Sequence, residues 1–127
     1  MTRALARLEG PLVILVALHS VSVGLALIFA TEWGARLGGF DRVTPLFFAR
    51  QAGIFHLVVA TGYLLEYLGS RGVSFLLAAK TAAVVFLITE SLLDSVPWVV
   101  PASAAGDALT ALLVFVAHQA ARRSGVA

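Results

Sequence analysis

Apolar residues fill four stretches of this chain, each close to 20 residues long and separated by short polar segments. About 20 apolar residues at 1.5 Å rise match the roughly 30 Å of bilayer hydrocarbon. A backbone in lipid must satisfy its own hydrogen bonds, so these stretches are read as helices. The first covers about residues 11–30, with Pro11 at the first turn, where a missing N–H costs nothing. It is too long for the roughly 7–15-residue apolar core of a signal peptide, and Ile28-Phe29-Ala30 makes a poor cleavage site. The second covers about 45–68, with Thr44 as N-cap and Pro45 as first helical residue. Gly69-Ser70-Arg71-Gly72 then makes a turn, with the two glycines as its pivots. The third covers about 73–93 and the fourth about 101–121, ending before Arg122-Arg123. Residues 31–44 form a mixed loop with room for a short interfacial helix, and Trp33 and Phe40 suit the headgroup level. The expected fold is all-α: one domain, a four-helix transmembrane bundle in up-down-up-down order.

Composition agrees. In 127 residues 60% are hydrophobic and 13% charged, a balance that needs lipid as solvent. The net charge is +2, with no Lys/Arg stripe interleaved with aromatics, which argues against nucleic acid and for the bilayer as partner. There is no cysteine, so disulfides, thiolate metal sites and thiol redox chemistry are excluded. Arg3, Arg7, Arg71, Arg122 and Arg123 flank the spans on one side; only Arg36 and Arg42 flank them on the other. That bias predicts a multi-pass protein of the cell membrane with both termini cytoplasmic.

Polar residues inside the apolar stretches are the candidate chemistry, because each costs about 2.5–3.5 kcal/mol near the bilayer centre unless paired or hydrated. By depth, Arg50, Gln51, Glu90, Asp94 and Asp107 fall in one outer-half layer, either a structural ion-pair lock or a polar pocket. His19, Tyr63 and Lys80, at similar depth in the inner half, and His56 are secondary positions. For Lys80 the readings are snorkelling, a partner such as Glu66, or a bound anionic group. By helical phase, Asp107 and His118 share a face with Val114 between them, and His56 and Tyr63 share one with Ala52, Gly53 and Ala60. Gly24, Gly53 and Gly62 read as packing positions. Haem held by two histidines needs matched depth, and His19 and His56 are expected to differ by roughly 6 Å. No metal-binding or nucleophile motif occurs.

The segments VGLALIFATEW, FFARQAGIFHLVVATGYLLEY and AAKTAAVVFLITE resemble those of small DoxX-like four-helix bacterial membrane proteins. The likeness centres on Arg50-Gln51-Ala52-Gly53, an Arg-x-x-Gly near the start of helix 2. It implies a four-helix bundle in a bacterial inner membrane, in some cases accessory to a redox enzyme. The functional expectation is a non-catalytic accessory subunit or ligand-binding bundle without a cofactor. The alternatives are an oligomeric small-solute or ion transporter or channel, and a redox subunit using quinone or haem. A homo-oligomer or a membrane-protein partner is compatible with each.

Overall fold

The computed structural model describes residues 2–125, all helix and connecting turns. The helices are α1 (Thr2–Phe29), α2 (Thr31–Leu37), α3 (Leu46–Ser70), α4 (Ser74–Leu93) and α5 (Val99–Ser124). All but α2 are long and apolar enough to cross a membrane. Hydroxyls within them bond back onto their own helix: Ser22 donates to the Leu18 carbonyl at 2.9 Å, Ser91 to Leu87 at 2.7 Å. These side chains therefore need no partner from lipid.

α1 is the hub. Its backbone meets α3 at Gly24 and Gly53, where a Cβ on either glycine would come within 2.7–2.8 Å of the other's carbonyl oxygen. Only a residue without a side chain permits that approach. At the other end of the same interface Gly10 lies against the Tyr67 hydroxyl, so α1 and α3 run in opposite senses. α1 meets α5 through Ala6, packed with Ala120 and Ala121. The start of α1, the end of α5 and the α3–α4 turn therefore share one end of the molecule. At the other end the turn after α2 packs on the start of α5, Gly38 on Val99 and Gly39 on Trp98. Gly39 sits at φ +88°, a left-handed conformation that a side chain would strain.

α4 packs on α5 and, near its start, meets α3, where Phe75 fills the space beside Gly62 and Tyr63. No Cα of α1 lies within 8 Å of a Cα of α4 among the described residues. The buried core accordingly sits toward the terminus end, built from Val13, Val16, Tyr63, Leu76 and Val114.

Several boundaries differ from the sequence expectation, α5 among them, which runs Val99–Ser124 and so extends past both expected ends. α1 begins at Thr2, not near Pro11, because its extra turns bury Ala6 and Glu9 against α5. Pro45 precedes α3 in an extended conformation, so the helix starts one residue later than Thr44 capping would give. In the α3–α4 turn the left-handed position falls on Arg71, φ +54°, and not on Gly69 or Gly72. Arg71 is held there by donating to the Tyr67 hydroxyl at 3.0 Å with its guanidinium over that ring.

Candidate functional site

Where α1, α4 and α5 diverge, a cavity of about 790 Å³ opens between them. That lies inside the roughly 300–1,000 Å³ range of small-molecule pockets. Its walls are mostly apolar: Leu12, Leu15 and Val16 from α1, Phe86 and Leu87 from α4, Leu113 from α5. Four titratable side chains also line it: His19, His56, Lys80 and Asp107.

Lys80 and Asp107 form an ion pair between α4 and α5, with side-chain exposures of 7% and 18%. Each carries a charge into a place that water hardly reaches, so each needs the other. The register of α4 on α5 makes this meeting possible. Ile88, Ser91 and Leu92 lie beside Pro101, Ala104 and Ala108, which puts Asp107 well below the level of Glu90. His56 lines the same cavity as Lys80, Asp107 and His19. The Gly24–Gly53 and Gly10–Tyr67 contacts place His19 opposite Val58, two residues from His56 along α3. That is about 3 Å of helix rise, half the expected offset. Among the described residues neither imidazole has a hydrogen-bond partner in the protein.

The expected five-residue outer cluster does not assemble. Arg50 and Gln51 are exposed on α3, because the helix turns Gly53, His56, Ala60 and Tyr63 inward and leaves these two roughly 100° or more away. Asp94 is exposed and accepts from the Ser95 N–H at 2.7 Å. Glu90 is half-buried, and among the described residues the ion pairs are Lys80–Asp107 and Glu9–His118. Asp107 thus belongs with Lys80, His19 and His56, the positions read as secondary. Tyr63 is buried next to them, packed against Phe75 at 5.9 Å between ring centroids.

Glu66 is not the partner of Lys80. Its carboxylate accepts from the Ser74 and Phe75 N–H groups at 3.1 and 2.8 Å. It thereby caps the exposed N-terminus of α4, where a negative charge is favoured. The second polar pair, Glu9 with His118 Nδ1 at 2.5 Å, ties α1 to α5 on the terminus side of the core. Sequence reading assigns Glu9 no structural role because it falls outside the expected first helix. Val114, fully buried on the face shared by Asp107 and His118, separates the two polar sites as its phase predicts.

Among the described residues no group of three or more His, Cys, Asp or Glu is arranged to hold a metal ion. What the fold and site define is a small helical membrane protein with a polar-floored cavity. Comparison with models of protein families, with curated proteins and with solved structures finds no match.

Proposed function

We propose that this protein is a non-catalytic membrane bundle that binds a small molecule in the cavity floored by Lys80, Asp107, His19 and His56. The cavity itself carries the reading: about 790 Å³ of mostly apolar space converging on two unengaged imidazoles and an ion pair. Apolar walls with few convergent polar groups are the general form of a ligand site. In this reading the four spans alternate in direction through the cell membrane and both termini are cytoplasmic. The excess of Arg3, Arg7, Arg71, Arg122 and Arg123 at the terminus end supports that orientation.

The DoxX-like likeness favours an accessory role within a larger membrane assembly. Its Arg-x-x-Gly carries separate tasks in this chain, Gly53 admitting α1 and Arg50 facing outward near the start of α3. Transport through the chain is disfavoured, since the core of Val13, Leu76 and Val114 lies between the cavity and the terminus end.

Gly106 lines the cavity, where a side chain's Cβ would meet no atom within 4 Å, and Ala102 lies one turn away on the same wall. Replacing both with Phe fills the cavity from the inside. A ligand that binds only the folded state raises its stability by RT ln(1 + [L]/Kd). Extract of the native membrane should therefore raise the Tm of the delipidated parent protein and leave that of the Gly106→Phe/Ala102→Phe variant unchanged. Equal shifts in both would remove the cavity as the binding site.

A further inference from the structure

Building on the ligand-binding reading above, we infer that the occupant is an uncharged amphiphile dissolved in the bilayer. Its carbonyl or hydroxyl head reaches Lys80, His19 and His56 through a side opening at hydrocarbon depth.

The charge of the site sets the first limit. Lys80 and Asp107 together sum to zero wherever their shared proton resides, and the cavity lining holds no other Asp, Glu, Lys or Arg. An ionic ligand would find no unpaired carboxylate, lysine or arginine there, and moving an ion from water to such walls costs far more than moving a neutral polar group. The floor still offers hydrogen bonds. An ammonium has three donors, of which Asp107 takes one, and every imidazole offers at least one N–H donor. A carbonyl or hydroxyl oxygen matches that set.

The openings set the second limit. The terminus end is sealed by the core around Val13, Leu76 and Val114. At the other end the rim includes Trp98, against which the Gly39 turn lies and which is 63% exposed. The cavity also reaches the surface along its side, where Leu15 is 62% and Phe86 60% exposed. Leu15 and His19 stand about halfway along α1, so this mouth faces hydrocarbon and not water. A ligand dissolved in the bilayer meets this mouth directly.

The chain lacks cysteine, so a single Gly106→Cys reports on access without background. In phosphatidylethanolamine–phosphatidylglycerol vesicles, an alkyl maleimide should modify that thiol about tenfold or more faster than a sulfonated, membrane-impermeant maleimide added to both sides. Equal rates would overturn entry from lipid. Three diazirine probes with the same sixteen-carbon chain then test the head: a methyl ketone, a carboxylate and a trimethylammonium. After irradiation the ketone should label peptides spanning 12–23, 80–87 and 102–113, and the charged probes about tenfold less or weaker still. Equal or stronger labelling by a charged probe would overturn the neutral head. If no probe labels the cavity while the purified protein carries another bound molecule there, this inference fails and ligand binding stands. If the cavity holds nothing by either route, both fail.

Discussion

At the scale of single residues, the protein is defined by which charges find partners. Lys80 and Asp107 are each destabilising alone and tolerable together, so the two single replacements and the double one behave differently. Lys80→Met leaves an unpaired carboxylate between α4 and α5 and should destabilise the protein by about 3–5 kcal/mol. The double variant Lys80→Met/Asp107→Leu should recover most of that loss, which denaturation in detergent would measure as a strong positive coupling. Purely additive losses would mean that the pair does not form. Phase and depth together make half of this legible. Lys80, Asp107, His56 and Tyr63 are visible in the sequence as inward-facing polar positions. Arg50 and Gln51 are placed there by depth alone, and depth says nothing about which way a side chain points. An inward face of α3 drawn through Gly53, His56, Ala60 and Tyr63 leaves both outside it.

At the scale of helices, glycine positions separate close packing from open space. A methyl at Gly53 would stand 2.7 Å from the Gly24 carbonyl oxygen, whereas at Gly106 it meets nothing within 4 Å. Gly53→Ala should push α1 from α3 and cost about 1–3 kcal/mol. Gly106→Ala should be neutral or stabilise by up to about 1 kcal/mol, because alanine is the better helix former. Thermal unfolding of the two variants side by side checks the contrast. The four long helices themselves are legible because hydrophobic run length in lipid allows little else. Their ends are less so: Pro11 suits a first helical turn, yet α1 continues through it to bury Glu9 beside His118. A terminal segment that gains a partner on a distant helix leaves no mark in local hydropathy. The register of α4 on α5, which decides that Asp107 meets Lys80 and not the level of Glu90, is likewise a property of packing alone.

For the whole molecule, one end is a packed core and the middle is a cavity with a side mouth, a division set by the backbones of α1 and α4 standing apart, so that their side chains join only in the core. If the arginine bias sets orientation, a reporter active only outside the cytoplasm should work when fused in residues 38–44 or beside Trp98. A cytoplasmic reporter should work at the C-terminus, and the opposite pattern would reverse the proposed topology. The central claim is that the cavity holds a molecule, and native mass spectrometry of protein released from mild detergent tests it most directly. The parent protein should carry a discrete adduct of one small molecule, and the folded Gly106→Phe/Ala102→Phe variant should appear at its bare mass. A parent without adduct, or an adduct that survives the filled cavity, would contradict the account.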